Sequence, residues 1–413
     1  MVMLTHIRHD IDEILPGVIA DRRYLHEHPE LGFEEYETAK FIGQRLAALG
    51  VDDIRTGING TGITGLIQGC GCGGGSDTEQ GTDRVILLRA DIDALPILEE
   101  NEVDYVSQNP GVMHACGHDA HTAILLGVAR MLMDRKSEFA GTVKLLFQPA
   151  EEIPPGGALG MIQEGVLEHP HVDAVFGLHM AQAIPVGFVG VAGGPVMAGG
   201  DLFEITIQGK GGHAASPHKA VDPVVIGSQI VVALQTVVAR NVDPMESAVL
   251  SITVFQAGDA FNVIPDVAKI GGTVRWFKPD VTALVEKRII EIATGIGEAA
   301  GATIDVTFPR GYQPTINDNA HAAIVREAAI GVVGEEHVLT PPPVMGGEDF
   351  SRFLLERPGA FFVIGSMNEE KGLVWGHHHP KFDIDEESLG IGVATMANTV
   401  FIWFAQSQDK PAL

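Results

Sequence analysis

The chain has 413 residues, 45% of them hydrophobic and 20% charged, which supplies ample material for a folded core and rules out disorder. With 27 basic against 54 acidic residues its formal net charge is −27, a balance that repels nucleic-acid phosphates and anionic lipid and speaks against both as partners. Only three cysteines, Cys70, Cys72 and Cys116, are present, so a disulfide framework is not expected and the reading is a reducing, cytoplasmic compartment.

The N-terminal stretch MVMLTHIRHDIDEILPG mixes His, Arg and Asp and has no apolar core segment, so it does not read as a signal peptide. Helical periodicity covers 11–27 and 34–49, the second stopped by Gly50. The apolar runs 62–68 and 85–88 read as strands, and the CGCGGGSDTEQGTD between them as a flexible hairpin loop. Within it Cys70 and Cys72 read as part of an exposed insertion, the alternative being adventitious metal binding. A helix over 119–133, a strand at 142–147, a helix at 157–167 and a strand at 174–178 follow, an alternation that predicts an α/β sheet covered on both faces. Gly193, Gly194, Gly199 and Gly200 then bracket a linker.

Beyond the linker come a strand at 202–207, a helix at 223–240, strands at 248–255 and 268–277, a helix at 281–299 and a strand at 303–308. That β-α-β-β-α-β order is the split βαβ arrangement of a ferredoxin-like module. The remainder returns to mixed helix and strand. We therefore expect a catalytic α/β domain from residues 1–190 and 310–413, built on a central mixed, largely parallel sheet flanked by helices. An inserted ferredoxin-like α+β module is expected at 191–309. One uncharged stretch, 388–408, is long enough to span a bilayer. Its Gly390, Gly392, Asn398 and Gln406, and the lack of a second such stretch, favour a buried helix instead.

Chemistry concentrates in four places. MHACGHDAH, at 113–121, sets Cys116 two residues from His118, with His114, Asp119 and His121 nearby. A thiolate and an imidazole so close suit zinc or a similar metal, although alone they fit a buried cysteine and helix-capping residues equally well. The strand TVKLLF runs into QPAEE, placing Glu151 and Glu152 at its C-terminal end, where ligands bind in open α/β sheets. A lone EE is also common in a solvated loop. AVFGLH ends at His179, again at a strand's C-terminal end, where a single histidine is more often structural. GHHHPKFD supplies His377, His378 and His379. Together a Cys, a Glu and three His would hold two divalent cations, which sit roughly 3.5–4 Å apart in hydrolytic pairs. A second carboxylate would then act as general base towards water. Asp91 and Asp93, at the end of VILLRA, read as positioning residues, because a metal-bound histidine needs a carboxylate or carbonyl partner.

RADIDALP (89–96), HACGHDAH (114–121), QPAEE (148–152), GLH (177–179), GKGGHAASPH (209–218), FNVIPD (261–266), GTVRWF (272–277), GGEDF (346–350) and HHP (378–380) stand in order along the chain. In these motifs the chain resembles the N-acyl-amino-acid amidohydrolases of the hippurate hydrolase and auxin-conjugate hydrolase type, dinuclear metallohydrolases of the carboxypeptidase/aminoacylase superfamily. The likeness runs from RRYLHEHPELGFEE at 22–35 to beyond residue 380. It implies Cys116, His118, Glu152, His179 and His378 as metal ligands, His378 because the family's ligand precedes a proline by two positions, as His378 precedes Pro380. Glu151 takes the general-base role. His213 would polarise the scissile carbonyl, reaching a neighbouring subunit's site, and Asn262 and Arg275 would bind the substrate carboxylate. A structural loop histidine and a strand arginine paired with a carboxylate are the alternatives for these.

The resemblance further implies a homodimer formed through the inserted module and hydrolysis of a small N-acyl-amino acid. Two divalent metal ions per subunit are implied, zinc being favoured by the thiolate and manganese, cobalt or nickel remaining open. A peptidase cleaving a dipeptide or a C-terminal residue is the rival reading, and a non-catalytic metal-binding protein the third.

Overall fold

The computed structural model describes residues 2–71 and 84–406, with side chains from residue 11 onward. Cys72 and the rest of the Gly-rich stretch 72–83 lie outside the described residues. The chain forms two compact units, one of Met1–Val196, Ile316–Pro342 and Asp349–Leu413, the other of Met197–Thr315 and Pro343–Glu348.

The first unit is built on an eight-stranded sheet. Its order is Asp52–Ile58, Gly62–Cys70, Ala140–Gln148, Val85–Asp91, Ala174–Pro185, Gly359–Met367, Val189–Gly190 and Val338–Leu339. The four central strands, from Ala140–Gln148 to Gly359–Met367, run parallel, whereas the first two join the sheet antiparallel. Val85–Asp91 is buried along its whole length, as a strand covered on both faces must be. The covering is visible on Gly62–Cys70. Met161 of the helix Gly157–Gln163 presses on Gly62, and Leu46 of the helix Tyr36–Leu49 on Gly65, an odd separation that puts them on opposite faces. The helices Val2–Glu27, His118–Asp134 and Glu387–Gln406 pack against one another.

The differences from expectation are local. The strand Asp52–Ile58 was not anticipated because it is a mostly exposed edge without apolar alternation. The helix expected over 157–167 stops at Gln163, where the chain turns through Gly165 at φ 84°. Glu387–Gln406 is a buried helix, but it is not the sole stretch long and apolar enough to cross a membrane: Pro223–Asn241 meets the same test. Charged Asp222 and Arg240 bracket its uncharged run, which is therefore shorter than that of 388–408. It buries Ile226, Ile230, Leu234 and Val237 at helical spacing.

The second unit carries a four-stranded antiparallel sheet in the order Ala248–Ala257, Val267–Trp276, Gly199–Gln208, Thr303–Thr307. With the helices Pro223–Asn241 and Pro279–Ala299 the chain order is β-α-β-β-α-β, the first and third strands lying inside. Phe203, Ile205 and Ile207 meet the apolar stripes of both helices in one core. The short segment Pro343–Glu348 joins this unit, the Ala198 N–H donating to the carbonyls of Val344 and Gly346, each at 3.0 Å.

Candidate metal centre

The carboxyl ends of the parallel strands supply most of the polar groups. Val85–Asp91 ends on Asp91, and Ala140–Gln148 leads directly to Glu151 and Glu152. Ala174–Pro185 does not end at His179, as the sequence suggests, because Gly359–Met367 goes on pairing with it (Val363 opposite His179). On its other side pairing with Val85–Asp91 stops at Gly177, so His179 still stands beyond its neighbour's end. The helix His118–Asp134 starts at the site through Gly117, whose φ is 91°. A Cβ there would stand 3.2 Å from Met180 Cγ, so the left-handed conformation favours glycine and the space beside it is tight. Ala150 (φ 51°) and His378 (φ 63°) also adopt left-handed backbone, a costly conformation that clusters at functional sites. The His378 N–H donates to the Ala115 carbonyl at 2.7 Å, which brings the last histidine motif to the cysteine motif.

Five donors meet there. Cys116, His118 and His179 present ligand atoms all within 4.8 Å of one another, and so do Cys116, Glu152 and His378. Cys116 is common to both groups, and Glu151 groups in the same way with His118 and Glu152. Cys116 Sγ lies 3.6 Å from His179 Nε2, and Glu152 Oε1 lies 3.1 Å from His378 Nε2.

The tautomers are set from behind. His118 Nδ1–H donates to the Asp93 carbonyl at 2.9 Å, with Asp93 Oδ1 at 3.2 Å, and His179 Nδ1–H donates to the Met180 carbonyl at 2.7 Å. Both rings therefore present Nε2, and not Nδ1, as the atom available to a ligand. Asp93 also accepts the backbone N–H of Glu151 on Oδ1 and that of Glu152 on Oδ2, each at 3.0 Å. Asp91 accepts from Arg89 Nη1 at 2.6 Å and from His121 Nδ1 at 2.5 Å, and its Oδ2 is 3.7 Å from His118 Nε2.

Whether a cation fits can be judged from the atoms themselves. His118 Nε2 is buried and makes no hydrogen bond, an arrangement that is rare without a missing partner. Burial, reinforced by the Glu152 and Glu151 charges, raises the Cys116 thiol well above its usual range. Burial pulls His118 down, but Asp91, Asp93 and Glu152 outweigh it and carry the ring up to about 10. For Glu152, burial is overcome by His378 and His118, which hold the carboxyl below its ordinary value. Thiol and imidazole thus keep protons that a dication would displace, and the donor set suits zinc and other borderline metals.

Sequence reasoning missed several supports. His121 donates to Asp91 from Nδ1 and accepts the Met180 N–H on Nε2 at 2.8 Å, and burial lowers its ring to about 4. His377 donates from Nε2 to the Met180 carbonyl at 3.0 Å. Arg89 is buried between Asp91, Gln148 Oε1 (2.9 Å) and Asp349 Oδ1 (2.9 Å), so RAD and GGEDF are joined by a pairing that no local spacing reveals.

His213, Asn262 and Arg275 belong to the second unit. His213 lies on a two-residue strand opposite Val263, and the Ala214 N–H donates to the Asn262 carbonyl at 3.0 Å. The Ala215 N–H donates to His213 Nδ1 at 3.0 Å, which leaves the ring proton on Nε2. Arg275 is half-buried in Val267–Trp276 and has no ion-pair partner among the described residues. A Cβ at Gly200 would stand 2.2 Å from its Nη1, so the guanidinium crosses a gap that glycine leaves.

Residues 87–401 match the model of peptidase family M20/M25/M40. The chain is 43% identical over 339 residues to the N-acyl-L-amino acid amidohydrolase of Geobacillus stearothermophilus, covering 80% of this chain and 88% of that protein. It is 38% identical over 400 residues to thermostable carboxypeptidase 1 of Saccharolobus solfataricus, covering 96% of this chain and 98% of that one. The crystal structure of a Bacillus subtilis protein, described as a dinuclear metal binding peptidase of the M20 family, aligns with a TM-score of 0.80 at 36% identity. That alignment covers 95% of this chain and 99% of the other.

Proposed function

The chain belongs to peptidase family M20/M25/M40, and from that premise we propose that it is a metal-dependent amidohydrolase that splits N-acyl-amino acids into a carboxylic acid and a free amino acid. The observation that carries this reading is the pair of donor groups joined at Cys116 with Glu151 beside them. Cys116, His118, Glu152, His179 and His378 hold two divalent cations, zinc first, with manganese, cobalt and nickel as alternatives set by supply. When bound, such a pair polarises the scissile carbonyl and makes water more acidic.

The chain's own groups do the rest. Glu151, buried and fixed through its backbone to Asp93, accepts the proton of the attacking water and passes it to the leaving amine. His213, with its proton on Nε2, donates to the oxygen that gains charge as the carbonyl is attacked. Asn262 and the unpaired Arg275 guanidinium hold the substrate carboxylate.

The second unit, read as the inserted module, serves homodimerisation. Its strand Ala248–Ala257 lies at the edge of the sheet, with Val254 and Phe255 exposed, and the helix Pro223–Asn241 exposes Val224, Val225 and Val232. A second copy of the chain is the occupant that continues such an edge. A cytoplasmic location belongs to the same proposal, and the scarcity of cysteines supports it.

Replacing Glu151 by Gln tests the core of the proposal. Both metals should remain by elemental analysis while kcat falls about 10²–10⁴-fold, the usual contribution of a general base. Near-normal turnover in that variant would remove Glu151 from the role. The carboxypeptidase reading is favoured by the Saccharolobus relative's name and is separated by assaying acetyl-, benzoyl- and peptidyl-amino acids side by side.

A further inference from the structure

The mechanism above leaves one half-buried histidine of the triplet without a task. His377 points Nε2–H at the Met180 carbonyl at 3.0 Å, and that same oxygen accepts His179 Nδ1–H at 2.7 Å. The other end of the residue is held too, since the Met180 N–H donates to His121 Nε2 at 2.8 Å and His121 is in turn tied to Asp91 at 2.5 Å. Its side chain is buried and lies over Gly117, between Cys116 and His118. Met180 is thus fixed through its amide, its carbonyl and its side chain, with three imidazoles on the backbone groups. The His377 ring also packs on Phe382, centroids 5.1 Å apart, and edge-on to His179 at 5.2 Å.

We propose that His377 is a positioning residue for the metal centre, acting through the Met180 carbonyl to fix the direction in which His179 presents Nε2. A carbonyl oxygen has two lone pairs. With one taken by His377, the other is confined to the lobe that faces His179, so the His179 ring cannot swing without breaking its bond to Met180. The role depends on a donated N–H and not on a change of protonation. The inference rests on His179 being a metal ligand, and it explains why a histidine precedes the ligand His378 within the triplet.

The test compares His377→Gln, which keeps an N–H donor at similar reach, with His377→Phe, which keeps the packing on Phe382 and loses the donor. Cobalt(II) is titrated into each metal-free protein against a chelator, the visible absorption bands of the cobalt form are recorded, and thermal unfolding of the metal-free proteins is measured alongside. His377→Phe should weaken cobalt affinity about 10–100-fold and shift the cobalt bands, with metal-free unfolding unchanged, and His377→Gln should recover most of both. Wild-type affinity and bands in His377→Phe overturn the proposal. Equal loss in both variants with lowered unfolding temperature makes the role one of packing and also overturns it. Loss of a full metal equivalent in both variants makes His377 a ligand and overturns it as well. If the unmodified protein binds no cobalt, the metal centre itself fails, an outcome separate from these.

Discussion

Cys116 and His118 both keep a proton at neutral pH when no cation is bound, the thiol because burial and two carboxylates oppose a thiolate, the imidazole because three carboxylates favour its cation. Metal uptake must expel those protons, so binding should release about two of them per chain near pH 7 and tighten as pH rises. Calorimetric titration in buffers of different ionisation enthalpy measures the count, and uptake without proton release would mean that the cations choose other donors. At this scale the sequence is informative where a residue is chemically distinctive. A thiol two positions from an imidazole, adjacent glutamates after a strand and a histidine triplet, each ambiguous alone, together point to metal chemistry before any fold is known. The supports are not legible in the same way. His121 and His377 act through the Met180 backbone, and a main-chain carbonyl carries no mark in the sequence.

Between elements, the helix Val2–Glu27 is fastened to the start of His118–Asp134 by a buried ionic network. Asp119 Oδ2 accepts from Arg22 Nε at 2.8 Å and from His26 Nδ1 at 2.7 Å, His26 Nε2 lies 3.1 Å from Glu99, and Arg22 Nη2 donates to Asp383 at 2.7 Å. Burial and Arg22 push His26 down, but Asp119 and Glu99 prevail and lift it to about 9. A folded-state value above the unfolded one of about 6.5 means that the protonated ring stabilises the fold fully below about pH 6.5. That contribution is lost as pH rises through about 9. The urea midpoint should therefore decline between those values, and His26→Asn should flatten the decline. An unaltered slope in the variant would assign the loss to other groups. Most elements were legible from periodicity and glycine stops, as at Gly50, whose left-handed φ of 76° ends Tyr36–Leu49. The extension of Ala174–Pro185 past His179 was not, because it is dictated by its partner strand Gly359–Met367, distant in sequence.

Across the whole molecule, two cores grow from one chain, and their element order was readable because a β-α-β-β-α-β run interrupts an alternating pattern. The return of Pro343–Glu348 to the second unit was not readable, since so short a segment has no periodicity of its own. On the dimer proposal, Val232, 71% exposed on Pro223–Asn241, is the most economical place to intervene. Val232→Asp should shift the species seen by analytical ultracentrifugation from dimer to monomer while leaving thermal unfolding nearly unchanged, as surface substitutions do. A variant that sediments like the parent would place the interface elsewhere. The sheet of the first unit has a further consequence through the order in which its strands are made. Gly359–Met367 occupies an interior place beside Ala174–Pro185, yet it is synthesised after the whole Met197–Thr315 segment, and His378 later still. On the ribosome, where folding proceeds domain by domain from the N-terminus, the later-starting unit nears completion while the earlier one still waits for an inner strand and its final imidazole. On the proposed ligand set, the cation pair therefore cannot be held in full until the inner strand Gly359–Met367 and then His378 have been made.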